Sequence, residues 1–369
     1  MRALAVRPGT PGVLVVERPE PAVTHPDGVK VRVLAVGICG TDREEVAGGR
    51  AKAPEGQAQL VIGHEMLGQV VEVGPAVREL KVGDLAVFTV RRGCGEDISC
   101  LVGRPDMCRT GRYLERGIWG LDGFQTEYVV DGEAYAVRVP AGLGELGVLV
   151  EPLSVAEKAI DEAVRVQPAR LPEAGVTPTW LAGRRCLVVG LGPIGLLGAL
   201  ALSLRGAEVY GLDVVDPGTP RAAWLSALGG SYVDGRQVPP DRFPEAVGTF
   251  DLIFEAAGVA ALDFNLLEAL APGGVLVLTG IPGEERPFQV PGGVLARRLV
   301  LGNLLVVGSV NAARDHYRLA VEDLVRAVCR WGQEFVGRLI THRYSVEAAP
   351  EAFSRHPPDE VKAVVDWAG

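Results

Sequence analysis

The sequence predicts an α/β protein of two domains, in which a β-rich part comes first and a doubly wound parallel sheet follows. Its 369 residues exceed what one compact hydrophobic core of ordinary size organises, so two cores are expected. Short runs typical of strands, separated by turn residues, occupy residues 1–150. After them, strand-like and helix-like runs alternate, which is the pattern of a parallel sheet covered by helices.

The first part is predicted to be a small β-rich domain because no long helical pattern interrupts its strand-like runs. The runs predicted as strands are residues 30–36, 68–73, 85–90, 125–130 and 134–139. In the second part, the predicted strands are residues 186–189, 209–213, 251–254 and 275–279, and the predicted first helix is residues 194–204.

A glycine-rich turn follows the first strand-like run of the second part. Gly190, Gly192 and Gly195, with Pro193 and Ile194 among them, come directly after an apolar run and open a helical pattern. A strand, a glycine-rich turn and a helix start are the layout of a dinucleotide site, in which the pyrophosphate lies at the helix N-terminus. The sequence therefore predicts a nicotinamide dinucleotide as cofactor.

Asp213 ends the next predicted strand, 18 residues after Gly195. At about this spacing an acidic side chain accepts hydrogen bonds from the adenosine ribose of NAD. A 2′-phosphate would meet a like charge there, and Val214, Val215 and Asp216 supply no arginine to offset it. We therefore expect NAD to be preferred, with NADP as the second choice. The alternative is an aspartate that ends a strand and faces solvent.

Cys39, His64, Glu65 and Glu151 are residues of zinc-ligand type, and all lie near glycine or proline turns. A catalytic zinc takes thiolate, imidazole and carboxylate ligands and keeps one position open for substrate. By itself, a cysteine is usually a small buried hydrophobic residue, and a single histidine usually has a structural role. Because the four occur together in a chain with a dinucleotide motif, the sequence predicts a catalytic zinc site.

A second cluster has the spacing Cys-x2-Asp-x2-Cys-x7-Cys and consists of Cys94, Asp97, Cys100 and Cys108. Several cysteines in a short stretch of a cytosolic chain indicate metal binding rather than disulfides. A closed structural zinc site needs four ligands, and a carboxylate can be the fourth. Two alternatives follow: a structural zinc site that includes Asp97, or a loop that holds no metal.

Composition narrows the class of function. The formal net charge of −9 disfavours nucleic-acid binding, which depends on Lys and Arg contacts to phosphate. Residues 186–204 carry no charge and have nearly the length of a membrane span, but central glycines and Pro193 interrupt them, so we expect no membrane segment. The N-terminus lacks the apolar core and cleavage site of a signal peptide, which favours a cytoplasmic location.

Over nearly its whole length the chain resembles the zinc-containing medium-chain dehydrogenases, and within them the glucose 1-dehydrogenases. The general motifs are Cys39-Gly40-Thr41-Asp42, Gly63-His64-Glu65, the cysteine-rich stretch and the glycine-rich turn. The stretches more specific to glucose dehydrogenases are Glu115-Arg116-Gly117-Ile118, residues 149–154 with Glu157-Lys158-Ala159, and Val307-Gly308-Ser309-Val310-Asn311. Asp97 departs from the family pattern, which has cysteine at that position.

The resemblance implies a GroES-like catalytic domain of residues 1–153, completed by residues 313–369, around a Rossmann dinucleotide-binding domain of residues 154–312. It also implies roles for individual residues. These are proton relay for Thr41, sugar contact for Glu115, Glu151 and Asn311, cofactor contact for Asn311, and metal contact or catalysis for Cys39, His64, Glu65 and Glu151.

The implied activity is zinc-dependent oxidation of an aldose, D-glucose or a close epimer, at C1 to the aldonolactone, with hydride transfer to NAD or NADP. One alternative is another zinc polyol or alcohol dehydrogenase. A second is a non-catalytic nucleotide-binding protein on the same fold, which we would expect to have lost Cys39, His64 or Glu151. We expect a homodimer or homotetramer whose partner is a small-molecule sugar, without nucleic-acid or membrane partners.

Overall fold

A computed structural model of the chain describes residues 1–175, 180–238, 242–283 and 288–368. They form two compact units, the first made of Met1–Ser154 with Asn311–Gly369 and the second of Val155–Val310. The chain therefore leaves the first unit, builds the second, and returns to complete the first.

The first unit consists mainly of strands joined by short helices. Its strands are β1 (Arg2–Arg7), β2 (Thr10–Glu17), β3 (Gly28–Ile38), β4 (Leu60–Val61), β5 (Glu65–Val73), β6 (Leu85–Phe88), β7 (Arg91–Arg92), β8 (Leu114–Arg116), β9 (Gly120–Leu121), β10 (Tyr128–Gly132), β11 (Ala136–Val139), β18 (Ile340–Ser345) and β19 (Lys362–Asp366). Its helices are α1 (Gly40–Val46), α2 (Ile98–Leu101), the start of α3 (Val150–Val166), α9 (Arg314–Trp331), α10 (Gln333–Gly337) and α11 (Ala349–Ser354).

Strand β3 is the centre of the largest sheet of the first unit, whose order is β11-β6-β5-β3-β19-β18. Val29, Val31 and Val33 alternate with Lys30 and Arg32, which is the period of a strand, and the three valines are fully buried. β5 pairs along one edge of β3, and β10 and β19 pair along the other. Because β19 comes from the end of the chain, the C-terminal segment is an integral part of this sheet.

The second unit alternates strands and helices. Its strands are β12 (Arg185–Val189), β13 (Glu208–Asp213), β14 (Ser231–Asp234), β15 (Phe250–Glu255), β16 (Leu270–Leu278) and β17 (Leu305–Gly308). Its helices are the remainder of α3, then α4 (Pro193–Leu204), α5 (Pro220–Leu228), α6 (Phe243–Val247), α7 (Ala260–Asn265) and α8 (Gly292–Gly302).

The strands of the second unit are all parallel in the order β14-β13-β12-β15-β16-β17. The order reverses direction between β12 and β15, which is the position where open parallel sheets bind ligands. The predicted doubly wound sheet is thus confirmed, and the strands predicted from sequence correspond to β12, β13, β15 and β16. β14 and β17 are short strands that the sequence pattern did not reveal.

The uncharged residues 186–204 form most of β12, the glycine-rich turn and α4. Within the described ranges of the chain, no helix combines the length and the apolar character that spanning a bilayer requires.

Candidate active site

Three of the four predicted zinc ligands lie together in the first unit. Cys39 follows β3 and caps the N-terminus of α1, and Glu65 opens β5 directly after His64. One potential ligand atom from each of these residues lies within 4.8 Å of the other two. His64 and Glu65 are buried and Cys39 is half-buried, so the pairing of β3 with β5 creates a shielded cluster of thiol, imidazole and carboxylate.

Asp42 holds two sides of this cluster together. Its fully buried carboxylate accepts hydrogen bonds from the backbone N–H of Cys39 at 2.7 Å and of Gly63 at 3.2 Å. Its Oδ1 atom lies 3.5 Å from His64 Nδ1. A carboxylate behind a histidine fixes the orientation of the ring, as in many metal sites. Asp42 had no role predicted from sequence, although its place three residues after Cys39 suits a helix-capping carboxylate.

A buried lysine neutralises Glu65. Lys362 on β19 donates to Glu65 Oε1 at 2.7 Å and Oε2 at 2.6 Å, and to the carbonyl oxygen of Ile38 at 3.2 Å. Burial opposes a charge on Lys362, but the negative charges of Glu65 and Cys39 outweigh it and raise the pKa of the ammonium. Sequence reasoning missed this residue because it lies far along the chain from Glu65.

Glu151 and Thr41 lie at the edge of the cluster. Glu151 is in the first turn of α3, and its carboxylate is not within the compact set formed by Cys39, His64 and Glu65. Burial raises the pKa of Glu151 to about 8, with His64 opposing the shift and Glu65 adding to it. Thr41 Oγ1 lies 4.0 Å from Cys39 Sγ.

The donor set fits a zinc ion. Thiolate, imidazole and carboxylate are the ligand types of catalytic zinc sites. Burial opposes protonation of His64, but Asp42 and Cys39 outweigh it and raise the pKa of the imidazole. A cation can replace that proton, since a metal binds the deprotonated ring. Nearby Glu45 is buried, and burial, with the charge of Asp42 adding to it, raises the pKa of its carboxyl to about 10.

Glu115 and Asn311, the two predicted sugar contacts, are hydrogen-bonded to each other. Asn311 Nδ2 donates to Glu115 Oε1 at 3.0 Å, although 196 positions separate the two residues. Asn311 has a φ of 62°, the left-handed region that asparagine tolerates better than most residues. Glu115 is almost completely buried on β8. The structure therefore forms an amide–carboxylate pair from two distant motifs.

Two arginines surround the carboxylate of Glu115. Arg91, its neighbour across the β7–β8 pair, donates from Nε at 3.2 Å and Nη2 at 2.9 Å to Oε1. Arg50 donates to Oε2 at 3.1 Å. Arg91 is buried, stacks over the ring of Tyr113 and donates to the carbonyl oxygen of Asp106. These contacts hold Glu115 in one orientation, and neither arginine was predicted from sequence as a site residue.

The second cluster also comes together. Potential ligand atoms of Cys94, Asp97, Cys100 and Cys108 all lie within 4.8 Å of one another. Asp97 caps α2 through a bond from the N–H of Cys100 at 2.9 Å and also accepts from the N–H of Arg109 at 2.9 Å. These hydrogen bonds lower the pKa of Asp97. Asp97 therefore adds an ionised carboxylate to the three thiols, which gives a cluster of four potential ligands.

The glycine-rich turn of the second unit approaches other backbone too closely for side chains. Gly190 has a φ of 82°, and a Cβ there would lie 2.8 Å from Cα of Ala257. A Cβ on Gly195 would lie 1.8 Å from the carbonyl oxygen of Gly190. Gly192 caps α4 ahead of Pro193, and apart from its two chain neighbours no described residue has an atom within 4 Å of its Cβ position. The N-terminus of α4 is thus open to an anion such as pyrophosphate.

Two acidic side chains organise the loops around this turn. Asp213 Oδ2 accepts from the N–H of Leu191 at 2.7 Å, and Oδ1 accepts from the N–H of Val214 at 2.6 Å. Buried Glu255, at the end of β15, accepts from three backbone N–H groups, those of Ala257 at 2.6 Å, Gly258 at 2.8 Å and Gly280 at 3.2 Å. Sequence reasoning missed Glu255, which joins the loops that follow β15 and β16.

The fold and these clusters define a class. A β-rich unit with a Cys–His–Glu cluster, in one chain with a parallel sheet and a dinucleotide-type turn, is the arrangement of the zinc-containing medium-chain dehydrogenases. Residues 25–141 match the family description "Alcohol dehydrogenase GroES-like domain". Residues 144–367 match "Glucose dehydrogenase C-terminus".

Comparison with individual proteins gives the family. The chain is 36% identical to glucose 1-dehydrogenase of Methanocella arvoryzae and 39% identical to that of Thermoproteus tenax, over 99% of each chain. Its structure is similar to that of Haloferax mediterranei glucose dehydrogenase in complex with NADP, Zn and gluconolactone, with a TM-score of 0.88 and 34% identity over 99% of both chains. The chain belongs to the glucose dehydrogenase family.

Proposed function

We propose that the protein is a zinc-dependent aldose 1-dehydrogenase, which oxidises D-glucose or a close epimer at C1 to the aldonolactone and passes the hydride to NAD or NADP. The observation that carries this proposal is the Glu115–Asn311 pair in the unit that holds the zinc-type cluster. A buried carboxylate and an amide offer both hydrogen-bond acceptors and donors, which a polyhydroxylated substrate requires. The names of the relatives and the gluconolactone complex of the Haloferax enzyme support it.

Cys39, His64 and Glu65 would hold the zinc ion, with Glu151 as a further ligand. In that position a zinc ion would supply Lewis-acid chemistry that lowers the pKa of the substrate hydroxyl, and a nicotinamide would supply the hydride acceptor. Asp42 fixes the positions of the thiol and the imidazole relative to each other through its hydrogen bonds from the backbone N–H groups of Cys39 and Gly63. Lys362 balances the charge of Glu65, so that the cluster does not carry an uncompensated buried carboxylate.

We assign a proton-relay role to Thr41, whose hydroxyl would accept the proton of the C1 hydroxyl while passing its own proton on to solvent. Its hydroxyl group is both a donor and an acceptor, and it lies 4.0 Å from Cys39 Sγ. Glu115 and Asn311 orient the ring hydroxyls of the sugar. Glu115 Oε2 accepts one hydrogen bond among the described residues, from Arg50, and an ionised carboxylate oxygen can accept a second. Holding the reacting groups in one geometry supplies a large part of the rate enhancement.

In the second unit, the N-terminus of α4 would bind the pyrophosphate and Asp213 the adenosine ribose. Each Asp213 oxygen accepts one backbone N–H, which leaves acceptor capacity for the ribose hydroxyls. NAD is accordingly the preferred cofactor and NADP the second choice. A double substitution, Asp213→Ser with Val214→Arg, should shift preference towards NADP, and a lower KM for NADP in the unmodified enzyme would contradict the assignment.

We propose that Cys94, Asp97, Cys100 and Cys108 hold a second, structural zinc ion. The mutual closeness of the four ligand atoms and the ionised state of Asp97 support this. We also assign the first unit, Met1–Ser154 with Asn311–Gly369, to catalysis and the second unit, Val155–Val310, to cofactor binding. These bounds differ by one or two residues from the expected domains of residues 1–153 with 313–369 and residues 154–312.

For assembly, we propose a homodimer or homotetramer in the cytoplasm. β17 lies at the end of the parallel sheet, and Val306 on it and Val300 and Leu301 on α8 are exposed. An exposed strand edge with apolar neighbours suits pairing with a second copy. All six cysteines are free, as expected in a reducing compartment.

The proposed sugar contacts can be tested in the enzyme itself. Replacing Glu115 by Gln should raise KM for glucose much more than KM for the cofactor, because only the sugar loses a charged acceptor. Glu72→Gln, on the exposed end of β5, is the matched control and should leave both values unchanged. Equal KM values for glucose in the Glu115→Gln variant and the unmodified enzyme would remove the support for a sugar site at Glu115.

A further inference from the structure

An arginine lies close to the predicted adenosine end of the cofactor site, although the three residues directly after Asp213 include no arginine. Arg236 comes two residues after the end of β14. It forms a bidentate pair with Asp234, through Nε to Oδ1 at 2.9 Å and Nη2 to Oδ2 at 2.7 Å. Its Nη1 atom donates to Asp216 Oδ1 at 2.7 Å. The guanidinium is therefore shared between two carboxylates.

Several contacts join this arginine to the end of β13. In the parallel pairing of β13 with β14, Asp213 is the partner of Asp234. The N–H of Gly235, the residue before Arg236, donates to the carbonyl oxygen of Asp213 at 2.8 Å. Tyr232 Oη donates to the same carbonyl at 3.2 Å and to that of Val215 at 2.5 Å. The Arg236 cluster thus adjoins the residue that we assign to the adenosine ribose.

The charges at this place are predominantly negative. Asp216 and Asp234 share the single guanidinium of Arg236, and Asp213 is the strand partner of Asp234. Burial and the negative charges of these three carboxylates raise the pKa of Tyr232 to about 12, with Arg236 opposing the shift. A phosphate group that approached Arg236 would meet more negative than positive charge, because this guanidinium already pairs with two carboxylates.

The ion pair of Arg236 with Asp234 is more buried and has more hydrogen bonds than its pair with Asp216. Asp234 is 9% exposed and also accepts the backbone N–H of Arg236, so it anchors both the main chain and the guanidinium. Asp216 is 77% exposed and accepts a hydrogen bond from the guanidinium only through Nη1. Exposed ion pairs are weak, so Asp216 is the releasable partner. Without it, Nη1 would be free while Asp234 still held the other side of the guanidinium.

We propose that Asp216 and Asp234 determine cofactor choice by keeping Arg236 from a 2′-phosphate. In the unmodified protein the shared arginine leaves NAD as the better ligand, and release of Arg236 from Asp216 makes its guanidinium a phosphate ligand. Arginine suits this role because its planar fork matches phosphate oxygens. The inference rests on the proposed function only in placing the adenosine ribose at Asp213.

The test measures binding of NADH and NADPH by fluorescence titration of the whole protein without sugar. Asp216→Asn should tighten NADPH binding about tenfold, the effect of one charge-assisted hydrogen bond, and change NADH binding less than about twofold. Adding Arg236→Gln to Asp216→Asn should abolish the gain. Glu173→Gln, which removes an exposed carboxylate elsewhere in the second unit, is the control for charge alone and should leave both affinities unchanged.

Two results would overturn the inference. One is a double variant that binds NADPH as tightly as Asp216→Asn alone, because the gain would then come from lost repulsion and not from Arg236. The other is an unmodified protein that binds NADPH more tightly than NADH and loses this preference in Arg236→Gln. Failure of the proposed function would be seen in a different assay, as a protein that binds NADH but oxidises no aldose. The cofactor titrations would still test the role of Arg236 in that case.

Discussion

The ammonium group of Lys362 lies 2.7 Å and 2.6 Å from the two carboxylate oxygens of Glu65, and both side chains are buried. This ion pair links β19, near the end of the chain, to the first residue of β5. Glu65 belongs to the zinc-type cluster, so the C-terminal segment supplies the counter-charge of the site. The C-terminal segment therefore adds a strand to the sheet of the first unit and also supplies the positive charge that pairs with Glu65.

Replacing Lys362 by Met should lower the free energy of unfolding by about 3–5 kcal/mol, because it leaves the charge of Glu65 buried without a partner. Chemical denaturation measures the change. Arg318→Met, which removes an exposed partner of Glu79, is the control and should cost no more than about 1 kcal/mol. A loss as small as the control in Lys362→Met would contradict the buried pair.

Replacing Cys39 by Ala should abolish turnover and remove one zinc ion per subunit, because the thiolate is a ligand of the proposed catalytic site. NADH binding should survive, since the glycine-rich turn belongs to the second unit. Metal analysis and cofactor titration check the two statements. Cys329→Ala, at an exposed cysteine on α9, should keep both metal and activity. Full activity of Cys39→Ala would exclude a zinc mechanism at this cluster.

The unmodified protein should hold two zinc ions per subunit, and Asp97→Ala should lower the melting temperature more than the activity at moderate temperature. Asp97 has two roles, since it also caps α2, and loss of a cap alone costs about 1 kcal/mol. Asp97→Asn separates them, because the amide oxygen can still accept from Cys100 while the carboxylate ligand is lost. One zinc ion per subunit, with unchanged melting of Asp97→Asn, would show that the cluster holds no metal.

Asp131 should make stability depend on pH in the acid range. Burial opposes its ionisation, but Arg116 and Arg92 outweigh burial and lower its pKa. The stabilisation is therefore complete above the ordinary aspartate pKa of about 3.9 and is lost as the pH falls through the lower value of the folded state. Unfolding free energies measured from neutral pH to about pH 3 should fall more steeply in the unmodified protein than in Asp131→Asn. Parallel curves would contradict the assignment.

Local patterns predicted part of the site. Gly190, Gly192 and Gly195 could be placed from sequence because strand, turn and helix start follow one another directly. The cysteine cluster could be found for the same reason, since its members lie within a short stretch. In both cases neighbouring residues along the chain are also neighbours in space.

Distant pairings could not be predicted from residues alone. Lys362 and Glu65 are 297 positions apart, and only the pairing of β19 with β3 brings them together. Glu115 and Asn311 were named through family resemblance, but nothing in the sequence shows that they are hydrogen-bonded. Arg236 follows a strand too short to have a clear pattern, so its approach to Asp216 became visible only with the order of the parallel sheet.

The most direct test of the central claim is a panel of substrates assayed with the unmodified enzyme and both cofactors. We predict that kcat/KM for D-glucose or a close epimer exceeds the values for ethanol and sorbitol by a factor on the order of 10³ or more, because a site built to pair hydroxyl groups rejects molecules that lack them or place them differently. Comparable efficiency on ethanol would contradict the sugar assignment and would favour a general zinc alcohol dehydrogenase.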